Sequence, residues 1–248
     1  MTDRIGWTLK LSVLCKGLST FGKADLMDTW GKNLTSEASG FSEEKTEEKK
    51  GAVAHAPSLN LQNENIANAE KAALALFALA GENPNREGLL RTPYRYAKAW
   101  SELLAGYHQS VNDVVGTGVF ASESLGLVAV KEVEFFSQCE HHLLPFWGHA
   151  SVAYFPSQKI VGLSKIPRIV DIYAKRLQVQ ERLTKEVGDA LQDLLAPRAI
   201  AVKVSAQHMC MMMRGVKKQG SATDTTYVLG FDSLSALEKD QLLSFLKN

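Results

Sequence analysis

The chain has 248 residues, of which 45% are hydrophobic and 22% are charged, and its formal net charge is +1. This composition is ordinary for a globular protein, and the near-neutral charge argues against a general attraction to nucleic acids or anionic membranes. No apolar run approaches the roughly 20 residues of a transmembrane helix, and the first residues hold no apolar stretch long enough for a secretory signal. We therefore expect a cytoplasmic protein.

Residues 1–57 differ in composition from the rest of the chain. They are rich in Gly, Ser, Thr and Lys, and they include the highly charged run EEKTEEKK at 43–50. Such a run cannot bury enough apolar surface to fold, so we predict a flexible N-terminal extension, with a regulatory or targeting tail as the alternative. Residues 58–248 are predicted to form one folded domain.

Two helices are predicted at the start of this domain. Apolar residues recur at helical spacing over 66–80, and Gly81 can end that helix. Thr92 and Pro93 then favour a second helix, with Thr92 as its N-cap and Pro93 at the first helical position. This helix is predicted to run to Leu104. The domain therefore begins with a helical segment.

The remaining elements mix strands and helices. Segments with apolar alternation are predicted strands, at 127–136, 150–155, 159–163, 200–204 and 225–229. Segments with a helical apolar stripe are predicted helices, at 167–177, 180–195 and 234–246. The order of helices, strands, helices, strands and a closing helix predicts an α+β domain built on an antiparallel sheet.

Two short segments carry residues that bind metals. Cys139 and His142 have C-x-x-H spacing, and His208 and Cys210 follow a predicted strand, where alternation places them on one face. Thiolates and imidazoles suit Zn²⁺ in tetrahedral geometry. A closed structural site is one alternative, but the spacing does not match a zinc finger. We interpret Cys139, His142 and Cys210 as the ligands of a catalytic zinc ion, with His141 and His208 beside it as proton carriers.

Such a site would activate water. A zinc ion can lower the pKa of its bound water to about 7, which makes a nucleophile available at neutral pH. Two thiolates reduce the net charge of the site and weaken this effect. A neighbouring histidine that acts as a general base would compensate, since such groups contribute about 10²–10⁴-fold to a rate.

Cations cluster near the metal segments in the sequence. The residues that could bind a polyphosphate are Ser164, Lys165 and Arg168 at a predicted helix start, Arg214 just after the second metal segment, and Arg95 and Lys98 on the second predicted helix. Helix starts favour anions, and arginine can bind phosphate with two hydrogen bonds. The alternative is a solvated charged face.

The start of the predicted helix at 180–195 carries a carboxylate that could bind a ligand. Glu181 fits a first-turn position, where an acidic side chain stabilises the helix dipole. Its carboxylate could also accept two hydrogen bonds from the N1–H and 2-amino groups of guanine, which would select guanine over adenine. The spacing alone leaves both interpretations open.

Several of these segments, taken in order, resemble one family. They are CEHH at 139–142, GLSKI at 162–166, RIV at 168–170, QVQERLT at 178–184 and HMCM at 208–211, followed by Arg214 and Gly215. In order and spacing they are similar to GTP cyclohydrolase I, over about residues 60–248. The resemblance implies the tunnelling fold, in which helices pack on one face of an antiparallel sheet. It also implies a homodecamer of two stacked pentamers, with active sites at subunit interfaces.

The resemblance also implies a role for each candidate residue. The zinc ligands would be Cys139, His142 and Cys210; the proton-transfer residues His141 and His208; the guanine-binding pair Gln180 and Glu181; and the triphosphate contacts Ser164, Lys165, Arg168, Arg214, Arg95 and Lys98. The implied reaction is the zinc-dependent hydrolysis of GTP to 7,8-dihydroneopterin triphosphate and formate, the first step of tetrahydrofolate or tetrahydrobiopterin biosynthesis.

Three other functions are compatible with parts of this pattern. The first is a structural zinc protein that binds a nucleotide without chemistry. The second is a related zinc enzyme of pterin metabolism with another substrate, although such enzymes usually bind zinc through three histidines. The third is a catalytically inactive regulatory homologue, against which the full set of Cys, His and Glu residues argues.

Overall fold

The structure is a computed structural model that describes residues 59–247. The predicted flexible extension, residues 1–57, lies outside this range and stays a prediction. The described elements are, in chain order, α1 (Leu59–Ala80), α2 (Thr92–Leu103), α3 (Val111–Val115), β1 (Val119–Ala121), β2 (Val128–Cys139), β3 (Pro145–Phe155), β4 (Lys159–Val161), α4 (Lys165–Ala174), β5 (Leu177–Gln178), α5 (Gln180–Leu195), β6 (Ala199–His208), α6 (Met209–Met212), β7 (Thr223–Leu229) and α7 (Ala236–Lys247).

The predicted N-terminal helical segment is confirmed as α1 and α2. Gly81 follows α1 with a φ of 69°, a left-handed conformation that glycine adopts at low cost. The N-cap of α2 was predicted wrongly, because Arg91 occupies that position and Thr92 is already helical. The amide of Thr92 donates to the Leu89 carbonyl at 2.9 Å, so the chain turns before Thr92 and leaves no extended residue there to act as a cap.

The sheet has five strands in the order β5-β2-β3-β6-β7. The pairs β2–β3, β3–β6 and β6–β7 are antiparallel, whereas the two-residue β5 runs parallel to β2. Strands β1 and β4 form a separate antiparallel pair. The predicted α+β class and antiparallel sheet are therefore confirmed.

Helices α4 and α5 pack on one face of this sheet, as expected. Their buried side chains, such as Ile169, Leu183 and Leu191, share one core with Val202 and Val204 of β6. Full burial of each such side chain contributes about 1.5–3 kcal/mol. The strand residues that alternate with Val202 and Val204 point to the opposite face of the sheet.

The opposite face of the sheet is covered in part by α7. Leu242 and Phe245 of this helix pack against Phe155 of β3 and Ala201 of β6. Helices were expected on one face of the sheet, and this contact of the C-terminal helix with the other face was not anticipated. None of the described helices is long and apolar enough to span a bilayer.

Gly148 allows strands β3 and β6 to approach each other just before they reach the functional residues. A Cβ atom at Gly148 would lie 1.9 Å from the carbonyl oxygen of Ser205 and 2.7 Å from the Cα of Ala206. Because both neighbours are backbone atoms, the strands would have to separate. We expect Gly148→Ala to lower the free energy of unfolding by roughly 3 kcal/mol. Urea titration of both variants would measure this loss. Gly126→Ala is the control: its Cβ would meet only Ser124 Oγ at 3.5 Å, so its free energy of unfolding should stay close to that of the wild type.

Candidate active site

Three side chains that could hold a metal ion, called the metal-binding residues below, converge at the end of the central strands. One potential ligand atom from each of Cys139, His142 and Cys210 lies within 4.8 Å of the other two, and the described residues contain no second such group of His, Cys, Asp and Glu. Cys139 is buried, Cys210 is half-buried and His142 is exposed. The group therefore opens to solvent on its histidine side.

A tight turn presents the first two of these residues. Cys139 is the last residue of β2, and its carbonyl accepts hydrogen bonds from the amides of His142 at 3.3 Å and Leu143 at 2.8 Å. Leu143 has a φ of 53°, and this left-handed conformation closes the turn. The turn places His142 Nδ1 3.8 Å from Cys139 Sγ. The C-x-x-H spacing thus brings a thiol and an imidazole together, as predicted.

Cys210 reaches the same point by a route that the sequence analysis described wrongly. Strand β6 ends at His208, and Met209–Met212 form the short helix α6. Strand alternation therefore does not relate His208 to Cys210. The helical turn, closed by a hydrogen bond from the Met213 amide to the Met209 carbonyl at 3.0 Å, directs Cys210 towards Cys139 instead.

The two sulfurs make this an unfavourable place for two negative charges unless a cation is present. Burial raises the pKa of the Cys210 thiol, and the nearby sulfur of Cys139 raises it further, while the charge of Arg214 acts in the opposite direction. A divalent cation between the sulfurs would reverse this balance and stabilise both thiolates. The donor set therefore suits a soft or borderline metal ion.

His208, two residues before Cys210, has its ring fixed by two neighbours. Its ring stacks on the buried Phe146, with centroids 4.6 Å apart and planes 2° from parallel. Its Nε2 lies 2.9 Å from Gln180 Oε1. Burial lowers the pKa of His208, although the charge of Glu181 raises it in part, so the neutral imidazole is favoured.

His141 and Arg214 lie on the exposed side of the group. His141 Nδ1 is 3.8 Å from Cys139 Sγ, so this predicted proton carrier lies near the metal-binding residues. Arg214 Nη1 lies 3.0 Å from His142 Nε2. Nδ1 is the nitrogen of His142 that faces the sulfur of Cys139.

The two residues of the predicted guanine-binding pair differ in their exposure to solvent. Glu181 is exposed on the first turn of α5. Gln180 is only 2% exposed, and its Nε2 donates to the carbonyls of Val204 at 3.0 Å and Thr223 at 2.7 Å. The side chain of Glu181 is thus accessible to a ligand, whereas that of Gln180 is used inside the fold.

The predicted triphosphate residues do not all meet within one chain. Ser164 is the N-cap of α4 without a side-chain capping bond, Lys165 Nζ donates to the Val114 carbonyl at 3.0 Å, and Arg168 is exposed on the same helix. Arg95 and Lys98 are exposed on α2. Of the predicted cations in the described part of the chain, Arg214 alone contacts the metal-binding residues.

One ion pair at the site was missed by the sequence analysis. Arg182 on α5 pairs with Glu140, the residue between Cys139 and His141, and donates from Nε to Gln178 Oε1 at 3.0 Å. The hydrogen bond from Arg182 holds the pKa of Glu140 below its usual range. This pair fastens the metal-binding turn to the start of α5. Its partners are 42 positions apart, so no local pattern could have indicated it.

Comparison with known proteins identifies the family. The family model described as GTP cyclohydrolase I matches residues 69–246. The chain is 53% identical over 167 residues to GTP cyclohydrolase 1 of Deinococcus radiodurans, which covers 67% of this chain and 77% of the relative. It is 50% identical over 185 residues to GTP cyclohydrolase 1 of Brucella anthropi, with 73% and 85% covered.

Similarity to a solved structure is weaker. The apo archaeosine synthase QueF-Like matches with a TM-score of 0.36 and 20% identity, over 44% of this chain and 97% of that one. The match to the family model, by contrast, extends through the metal-binding turn, the start of α5 and the end of β6. The chain therefore belongs to the GTP cyclohydrolase I family of enzymes.

Proposed function

We propose that this protein hydrolyses GTP to 7,8-dihydroneopterin triphosphate and formate, the first step of pterin biosynthesis, with a zinc ion bound by Cys139, His142 and Cys210. The observation that carries the proposal is the convergence of these three side chains in a member of this family, with His141 beside Cys139 and His208 two positions before Cys210 in the chain. The pair of free thiols suits the reducing conditions of the cytoplasm, where we place the enzyme.

The choice of zinc follows from the ligands. Two sulfurs and one imidazole within reach of one ion match the ligand types of tetrahedral zinc sites. Three protein ligands leave a fourth position for water, which is typical of catalytic and not of structural sites. When bound, the ion would supply Lewis-acid activation of a water molecule.

The histidines move the protons that the reaction requires. His208 or His141 would protonate N7 of the purine while water attacks C8, which opens the imidazole ring to a formamide. A second hydration would release formate, and the amine would reclose as a pterin after the ribose rearranges. Two water molecules enter and one leaves on reclosure, so the net change is one water per GTP. The neutral state favoured for His208 suits a group that must both accept and return a proton.

The remaining predicted residues would hold the substrate. Glu181 is exposed where it can accept hydrogen bonds from guanine N1–H and the 2-amino group. Ser164, Lys165, Arg168 and Arg214, with Arg95 and Lys98, would bind the triphosphate. Fixing both ends of GTP would keep C8 near the metal and so lower the entropic barrier to reaction.

We also propose the homodecamer of two pentamers, with the active site shared between subunits. Strand β7 is an edge of the sheet, and β2 pairs on its outer side only through the two residues of β5. Phe136 is 65% exposed and Leu163 is 61% exposed. Unpaired strand edges and exposed apolar side chains are features that neighbouring subunits cover. The separation of the predicted cations within one chain also supports a site completed by a second subunit.

Zinc content measured alongside formate release from GTP tests the function. We expect about one zinc ion per chain, formate release from GTP and not from ATP, loss of release after chelation, and recovery when zinc is returned. Light scattering on the same sample should give the mass of a decamer. A zinc-loaded protein that never releases formate, and that unfolds when zinc is removed, would instead be a structural zinc protein. Turnover of dihydroneopterin triphosphate in place of GTP would indicate a related pterin enzyme.

A further inference from the structure

The side chain of Gln180 is enclosed by hydrogen-bonding partners at the start of α5. Its Nε2 lies 3.0 Å from the Val204 carbonyl, 2.7 Å from the Thr223 carbonyl and 3.2 Å from Thr225 Oγ1. Its Oε1 lies 2.9 Å from His208 Nε2. The side chain therefore links the start of α5 to strands β6 and β7.

Two threonine hydroxyls support this arrangement. Thr184 Oγ1 donates to the backbone carbonyl of Gln180 at 2.7 Å, so its single proton is used. Thr225 Oγ1, 2.6 Å away, must then donate to Thr184, which leaves Thr225 as an acceptor for the amide of Gln180. The hydrogen bonds form a closed loop that begins and ends at Gln180.

This loop permits only one orientation of the Gln180 amide. If the amide were rotated by 180°, Oε1 would face the carbonyl oxygens of Val204 and Thr223, and three acceptors would meet without a donor. Leaving such buried groups unsatisfied costs about 1–3 kcal/mol each. The Nε2 group therefore points to the two carbonyls, and Oε1 points to His208.

The fixed amide in turn fixes His208. An amide oxygen can only accept, so His208 Nε2 carries the hydrogen that forms this bond. The stack on Phe146 sets the plane of the ring, and the bond to Gln180 sets its rotation within that plane. Nδ1 is the nitrogen that does not contact Gln180.

We infer that Gln180 is a positioning residue that holds His208 in one orientation, and that it is not a contact of the guanine base. This inference rests on the proposed function of the same site. It differs from the role that the family resemblance implies for Gln180, because every donor of this side chain is directed into the fold. Base recognition then falls to Glu181 alone of the predicted pair.

Gln180→Met tests the inference, because methionine has a similar length and cannot hold the imidazole. We expect kcat for GTP to fall about 30-fold while KM changes less than about threefold, with zinc content unchanged. Inosine triphosphate, which lacks the 2-amino group of guanine, should lose activity by the same factor. A raised KM for GTP with kcat retained, or a smaller loss with inosine triphosphate than with GTP, would overturn the inference and make Gln180 a base contact.

A second pair of variants covers the case in which Gln180→Met does not fold. Thr225→Val removes the hydroxyl from the loop at nearly constant volume, and Thr225→Ser keeps it. We expect kcat to fall about threefold to tenfold in Thr225→Val with an unchanged KM, and Thr225→Ser to match the wild type. Equal kcat in both variants would contradict the inference. Wild-type protein without GTP turnover would instead show that the proposed function fails.

Discussion

Replacing Cys210 with serine should remove zinc and reduce GTP turnover by roughly 1000-fold or more, while the domain stays folded. The substitution is nearly isosteric, but a serine hydroxyl is a hard ligand that stays protonated near neutral pH, so it does not replace a thiolate. Only Cys139 and His142 would remain. Lewis-acid activation by a metal is worth several kcal/mol, and each 1.36 kcal/mol changes a rate tenfold.

The structure explains why the fold should survive this change. Cys210 is only half-buried and lies on the four-residue helix α6, at the margin of the main core. Met213→Ser is a matched control, because Met213 follows the same helical turn and is 58% exposed. We expect the control to keep its zinc and its activity.

Metal analysis per chain, formate release and far-UV circular dichroism distinguish the outcomes. A Cys210→Ser protein that keeps its zinc and its turnover would show that Cys210 is not a ligand. A variant that loses its helical signal together with its zinc would show that the ion stabilises the fold, as in a structural site.

The local parts of this fold could be predicted from the sequence because they depend on neighbours along the chain. The bounds of the helix at 180–195 were predicted correctly, since its apolar stripe is continuous and lies on one face. Strands β1 and β5 were missed because three and two residues are too few to show alternation. The turn at 139–142 was predicted from its spacing alone.

The parts that were not predicted depend on contacts between distant segments. Gln180 is buried and the next residue, Glu181, is exposed. Nothing in the local sequence pattern distinguishes a buried glutamine from a glutamine that binds a base. Its partners Val204 and Thr223 lie 24 and 43 positions away. Glu140 and Arg182 are similarly distant in sequence. Such pairings become visible only when strands and helices are assembled.

The second large effect is expected at Glu181. A carboxylate can accept hydrogen bonds from both N1–H and the 2-amino group of guanine, whereas an amide in its place offers one acceptor and one opposed donor. We expect Glu181→Gln to lower kcat/KM for GTP by about 10³-fold, since a site that pairs with specific polar groups rejects a mismatch by factors of this order or more. Steady-state kinetics with GTP and inosine triphosphate would measure it, and the loss should be smaller for inosine triphosphate.

A control on the same helix separates base recognition from the effect of charge. Asp193→Asn removes one exposed carboxylate from the last turn of α5, so it changes the net charge of the protein by the same amount. Its KM for GTP should match the wild type. The helix-dipole interpretation of Glu181 predicts only a small loss of stability, about 0.3–1 kcal/mol, with unchanged KM and unchanged preference for guanine. An unchanged KM and an unchanged preference for guanine in Glu181→Gln would show that Glu181 does not bind the base. Because the side chain of Gln180 is directed into the fold, guanine recognition would then have to come from backbone groups or from a neighbouring subunit.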